Sequence, residues 1–234
     1  MTLPLLISVP HAGLRVPPEV EDLCVLDKEE IIRDGDEGAC RVYHPLKAEV
    51  SAYITTDIAR AIVDMNRAEG DRRKDGAVKT HTCWDVPVYG KALDQRIART
   101  LIEQYHRPYH KALTRFAKDV ILGVDCHTMA AEGPPIGPDP GVDRPHLCLS
   151  DYDGTCPREW TLSMAACLEQ AFKTEVSINH PFRGGFIIRS HAKEVPWIQL
   201  ELSRGRFMSV REKSECVCRA LRAWIAERKH LRRS

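Results

Sequence analysis

No apolar run in the 234 residues is long enough to span a bilayer. Neither a Gly-x-Gly-x-x-Gly fingerprint nor a Walker-type loop occurs, which argues against nucleotide binding. Nine cysteines are present but no Cys-x-x-Cys pair. The number is odd and several lie inside apolar patterns, so free buried thiols in a reducing cytoplasm fit better than a disulfide framework or a cysteine zinc site. Charge of neither sign is in excess, with 34 basic residues against 33 acidic, so nothing calls for a nucleic-acid partner. The basic stretch Arg228 to Arg233 reads as a solvated helix end rather than a binding patch. The start, Met1 to Val9, has no basic n-region and is interrupted by Pro4, so it reads as a first strand and not a secretion signal. A cytoplasmic protein without membrane attachment is expected.

Hydrophobic residues make up 43% of the chain and charged residues 29%, ordinary values for a globular protein, and the length suits one domain over 1–234. Strands are predicted at 3–9, 50–55, 59–65, 120–127, 175–178, 183–189 (after a glycine turn) and 197–202. Helices are predicted at 27–33, 91–118, 158–172 and 210–227, the long one kinked or split at Pro108. Residues 42–46 are ambiguous, and 70–82 and 132–145 read as loops long enough to be functional. Strands alternating with helices give an α/β three-layer sandwich, a mostly parallel or mixed central sheet with helices on both faces.

Chemistry gathers where strands end. Val9-Pro10-His11 and Val124-Asp125-Cys126-His127 each run from an apolar strand into an imidazole, and ligands bind beyond the carboxyl ends of strands in open α/β sheets. Asp34-Gly35-Asp36-Glu37 adds three carboxylates in four residues; a solvated acidic turn is the plain alternative. Two imidazoles and one carboxylate form the ligand set of hydrolytic zinc sites with an open position. Glu201 stands in an otherwise apolar strand, where a carboxylate is costly without a partner or a task. It suits a general base, or it pairs with Arg204 or Arg60 at the sheet edge. Arg60, Arg67, Arg183 and Arg189 lie in or beside strand-like segments, and such planar forks suit capture of a carboxylate.

These segments, in this order, resemble the N-formylglutamate amidohydrolase family, which is distantly related to the zinc carboxypeptidases. The matching runs are Val9 to Gly13, Asp34 to Asp36, Arg60 to Arg67, Tyr105 to His110, Val124 to Met129, Phe182 to Gly185 and Gln199 to Leu202. The resemblance implies a zinc-carboxypeptidase-like fold and a Zn2+-dependent amidase acting on a small acidic N-acyl amino acid. Its implied ligands are His11, His127 and one acidic residue of the turn, Asp36 before Asp34 or Glu37. Glu201 is implied as base and then acid, with Arg60 steadying the oxyanion and Asn66 with Arg67 gripping the substrate carboxylate. Two departures stand out. Leu14 occupies the place of the carboxypeptidases' carboxylate ligand, and the family's Asp-x-Asp-Trp turn ends here in Glu37. An amidase or peptidase for another N-acyl substrate, or a binding protein without turnover, are the rival readings. The sequence carries no signal for oligomeric state.

Overall fold

The computed structural model describes residues 2–137 and 139–228. The strands are β1 (Leu3–Val9), β2 (Val50–Thr55), β3 (Leu122–Met129), β4 (Leu147–Ser150), β5 (Val176–Ile178) and β6 (Trp197–Ser203). They form one sheet in the order β2-β1-β3-β6-β4-β5, parallel throughout except where β4 runs against β6. The helices are α1 (Lys28–Asp34), α2 (Ala39–Tyr43), α3 (Gln95–Leu101), α4 (Arg107–Ala117), α5 (Arg158–Phe172), α6 (Phe186–His191) and α7 (Val210–Glu227). Among the described residues, no helix is long and apolar enough to cross a membrane. No cysteines are joined, and Cys40 is exposed.

Side chains alternate across a strand, and β1, β3 and β6 use the alternation to build two unlike faces. Leu5, Ile7 and Val9, then Leu122, Val124 and Cys126, then Ile198, Leu200 and Leu202, pack into one core with α2, α5 and α7. The opposite face begins apolar, with Leu6 and Trp197 packed against α4 and α6. Towards the carboxyl ends it turns polar, through Ser8, Asp125, His127, Gln199 and Glu201, all buried. Parallel register aligns them in two rungs: Ser8 beside Asp125 beside Gln199, then His127 beside Glu201.

Three local expectations are corrected. Residues 59–65, predicted as a strand, form buried turns. Ile62 N and Val63 N both return to the Ala59 carbonyl, and Asp64 N crosses to Ala77, so no ladder forms. Periodicity does not separate a short buried strand from another buried apolar segment. Residues 186–191, predicted as part of a strand, are α6. The buried Asn66 side chain accepts a hydrogen bond from Ile187 N at 2.8 Å, so a distant residue satisfies a first-turn donor of this helix. Pro108 does not split the long helix. A π-helical turn, Ile102–His106, precedes it, and the proline falls in the first turn of α4, where its missing N–H is tolerated. Strand β4 was not foreseen, and residues 42–46 proved helical. Beyond Arg228, the basic tail lies outside the described residues.

A methyl group added at Gly123 would stand 2.3 Å from the ring of Trp197, which is wholly buried. Gly123→Ala should therefore destabilise the protein by about 2 kcal/mol or more, as overpacking does, read from the urea midpoint with an unchanged m-value.

Candidate active site

His11 lies in the turn that leaves β1, and His127 is the penultimate inward-facing residue of β3. The acidic turn meets them where α1 ends. Asp34 is wholly buried but already committed, to Lys79 Nζ at 2.9 Å and to the Cys83 N–H at 2.7 Å. The Glu37 side chain is exposed. Asp36 is the carboxylate that turns inward. Its Oδ2 lies 2.9 Å from His127 Nδ1 and 3.5 Å from His11 Nδ1. One donor atom from each of His11, Asp36 and His127 falls within 4.8 Å of the others.

The far nitrogen of each imidazole meets its own carboxylate: His11 Nε2 reaches Asp64 Oδ1 at 2.8 Å, and His127 Nε2 reaches Asp125 Oδ2 at 2.8 Å. A carboxylate can only accept here, so each Nε2 carries the hydrogen and each Nδ1 is directed at Asp36. This is the arrangement by which outer carboxylates fix the tautomer and aim of metal-binding histidines. His11 Nδ1 is buried and has no hydrogen-bond partner among the described residues. A buried donor-type nitrogen left open beside an inward carboxylate fits a cation held by His11, Asp36 and His127.

The outer carboxylates are themselves braced. Asp64 also accepts from Asn66 N at 2.8 Å and from Arg60 Nε at 3.0 Å. Asp125 accepts from Ser8 Oγ at 2.8 Å and Asn66 Nδ2 at 3.1 Å, and Tyr109 donates in turn to Ser8. Gly185 is required at this point, since a Cβ there would stand 2.2 Å from the Asn66 amide. The turn carrying Asp64 to Arg67 is held from below, with His110 Nε2 on the Met65 carbonyl at 2.9 Å and His106 Nε2 on the Arg67 carbonyl at 2.8 Å. Burial, with His106 and His191 alongside, pushes His110 down to about 3, so it stays a neutral donor.

Burial works against ionised Asp36 and Asp64, but the imidazoles (and Arg60 for Asp64) outweigh it and hold both well below the usual carboxylate range. Burial also opposes charge on His127, yet Asp125 and Glu201 raise it well above an ordinary histidine. The site stabilises positive charge at this point. Glu201 goes the other way: burial lifts it to about 7 against the pull of His127. Gln199 donates to Glu201 Oε1 at 3.0 Å and accepts from Gly185 N at 2.7 Å, leaving Oε2 free. Neither Arg60 nor Arg204 forms an ion pair with it.

A cavity of about 750 Å³ opens above these groups. Its walls include Pro134, Ile136 and Gly137 of the 132–145 loop, tied across by Ile136 N to the Cys83 carbonyl at 3.0 Å. Arg60 lines it, and so does Arg67, whose Nη2 is paired with Asp75 at 2.7 Å. Arg183 stands at an exposed position paired with Asp153. Arg189 does not line the cavity. It belongs to α6, which replaces the expected strand, and its guanidinium lies 4.8 Å from the centre of the Tyr152 ring. Asn66 borders the cavity, but both ends of its amide are occupied, by Asp125 and Ile187 N. Asp64, Gln199, Arg144 and Arg204 were not singled out from sequence as site residues. For Asp64 and Gln199 the signal was their place in the runs Arg60 to Arg67 and Gln199 to Leu202; Arg204 had been weighed only as a partner for Glu201, and Arg144 carried none.

The Glu201 shift has a thermodynamic consequence. Its folded value lies above the unfolded one, so its contribution to stability is fully present below about pH 4.5 and is lost as pH rises through about 7. In the metal-free protein, Glu201→Gln should match the parent near pH 4. Above pH 7 it should exceed the parent by about 3 kcal/mol, measured as urea midpoints across that range.

The model of the N-formylglutamate amidohydrolase family matches residues 3–208. The chain is 26% identical over 227 residues to the N-formylglutamate deformylase of Pseudomonas putida, covering 90% of this chain and 84% of the relative. It is 25% identical over 237 residues to that of Pseudomonas aeruginosa, covering 88% and 82%. The crystal structure of an N-formylglutamate amidohydrolase from Ralstonia eutropha superposes with a TM-score of 0.79 at 19% identity, over 98% of this chain and 95% of that one. With the family model spanning most of its length, this chain belongs to the N-formylglutamate amidohydrolase family.

Proposed function

We propose that the protein hydrolyses the amide of N-formylglutamate to formate and glutamate, with zinc held by His11, Asp36 and His127. The observation that carries the metal part is the pair of imidazoles locked by Asp64 and Asp125 with both Nδ1 atoms facing Asp36. When bound, zinc supplies Lewis acidity that polarises a carbonyl and acidifies water. Membership of the family, and relatives named N-formylglutamate deformylase, support the substrate.

The chain's own groups divide the remaining work. Glu201, lifted to about 7, is tuned to accept a proton from the attacking water near neutral pH. As the C–N bond breaks it returns that proton to the amide nitrogen, which leaves as the amine of glutamate. Gln199 keeps Oε1 occupied, so Oε2 is the oxygen that carries the proton. Burial opposes the charge of Arg60, but Asp64, Asp36 and Asp34 outweigh it and keep the guanidinium charged at all working pH values. It faces the cavity as a fixed cation for the developing oxyanion. Arg67 and Arg183 supply positive charge for the substrate's carboxylates. Asn66 serves as a positioning residue, because its amide is spent on Asp125 and α6. Pro134, Ile136, Gly137 and Arg144 wall the cavity on one side.

Formate release from N-formylglutamate should stop on chelation and return with zinc. Glu201→Gln should keep stoichiometric zinc while kcat falls by about 10²–10⁴-fold, and His127→Ala should lose the metal. Activity in Glu201→Gln, or stoichiometric zinc in His127→Ala, would refute the assigned roles. Zinc binding without hydrolysis of any N-acyl amino acid would favour a binding protein.

A further inference from the structure

Seven cationic side chains line the cavity, and six of them have a carboxylate within ion-pair distance. The seventh, Arg204, has none among the described residues. Its Nη1 makes one long contact, 3.5 Å to the Arg33 carbonyl, and its Nε is buried without any partner. A guanidinium can donate five hydrogen bonds and cannot shed its charge, so this leaves most of its capacity unused beside six cations that are each paired.

The backbone beneath Arg204 is unusually well fixed. Its N–H donates to the Met129 carbonyl at 2.8 Å, continuing the β3–β6 ladder one step beyond the sheet. The carbonyls on either side of it, Ser203 and Gly205, both accept from Lys213 Nζ, at 2.7 and 3.0 Å. Lys213 is buried and has no carboxylate partner among the described residues, and its ammonium, lying 4.5 Å from the centre of the Phe207 ring, clamps these two peptide groups. An unpaired guanidinium on an immobilised backbone, three residues past Glu201, is a preorganised anion receptor.

We infer that Arg204 is a specificity-determining residue that receives one of the two carboxylates of the acidic substrate. The inference rests on the proposed N-formyl amino acid chemistry for its substrate and on the cavity alone for its charge. Arg67, already paired with Asp75, must share its guanidinium with a second anion. Arg204 shares with none, so its attraction for a carboxylate is undivided, and replacing a carboxylate by an amide should be felt there first.

The test compares zinc-loaded parent, Arg204→Gln and Arg204→Lys on N-formylglutamate and on its two mono-amides, N-formylglutamine and N-formylisoglutamine. The parent should prefer the diacid. In Arg204→Gln, KM for the diacid should rise at least ~10-fold with kcat within ~3-fold, and the preference over one mono-amide should collapse, identifying which carboxylate is held. Arg204→Lys should recover part of it, and carries the comparison if the glutamine variant does not fold. Unchanged preference over both mono-amides would overturn the assignment. Thermal shift with glutarate separates the two readings. Glutarate stabilising the parent but not the variant, with no formate released by the parent, would sink the N-formylglutamate reading and sustain Arg204. Equal stabilisation of both proteins, or of neither, would overturn Arg204.

Discussion

Four carboxylates, Asp36, Asp64, Asp125 and Glu201, are buried around two imidazoles, and among the described residues Arg60 is the one permanent cation in ion-pair contact with them. Burying charge is tolerated only where it is paired and hydrogen-bonded. Asp36 and Asp64, both held well below the usual carboxylate range, outnumber that arginine and leave an excess of negative charge that neutral imidazoles cannot cancel. A proton on His127 offsets part of it, which is why that residue is raised so far. A divalent cation held as proposed by His11, Asp36 and His127 would offset it more completely and would compete with that proton for His127 Nδ1. Burial, to which Asp36 adds, lifts Glu201 to about 7 against the pull of His127, so the same closed, charge-dense pocket shapes both the candidate metal site and the carboxylate beside it.

The sheet makes this density of charge possible. The face of β1, β3 and β6 that carries the polar rungs is sealed below by Leu6 and Trp197, and the other face is apolar up to Thr128 near the end of β3. Parallel register sets His127 directly beside Glu201, so the spacing between the proposed ligand and the proposed base is a property of the ladder and not of flexible loops. The loops contribute what the strands cannot. His11 and Asp36 arrive from turns whose backbones touch, Asp36 N donating to the His11 carbonyl at 3.1 Å. The 64–67 turn is buttressed by His106 and His110, a support whose chemical purpose is visible only from the carbonyls it meets.

Two glycines allow close packing beside functional or core side chains. Gly123 admits Trp197 under the polar rungs, and Gly185 admits Asn66 between α6 and Asp125. Asn66 joins these parts: its amide links the bracing of His127 to the first turn of α6, so the helix and the metal pocket stabilise one another. This explains why 183–189 misled a reading by pattern. Phe186, Ile187 and Ile188 have the apolar continuity of a buried strand, but the donor groups at 185 and 187 are satisfied by Gln199 and Asn66, more than ten residues away in either direction.

The sequence by itself determined most strands and helices, the unlike faces of β3 and β6, and the imidazole and carboxylate types from which a hydrolytic site is made. These follow from periodicity and from the cost of polar groups inside apolar runs, both of which are local. Within the acidic turn it put Asp36 before Asp34 or Glu37 only through the family resemblance. The tertiary structure adds a physical reason to set them apart, because Lys79 claims Asp34 and solvent claims Glu37, and neither fact is written within five residues of the turn. The same holds for the arginines. Arg67 and Arg183 reach the cavity, Arg189 does not, and Arg204 stands there unpaired. Which cation is neutralised and which is left free depends on carboxylates brought near by the fold, and charge pairing over such distances in sequence leaves no periodic trace.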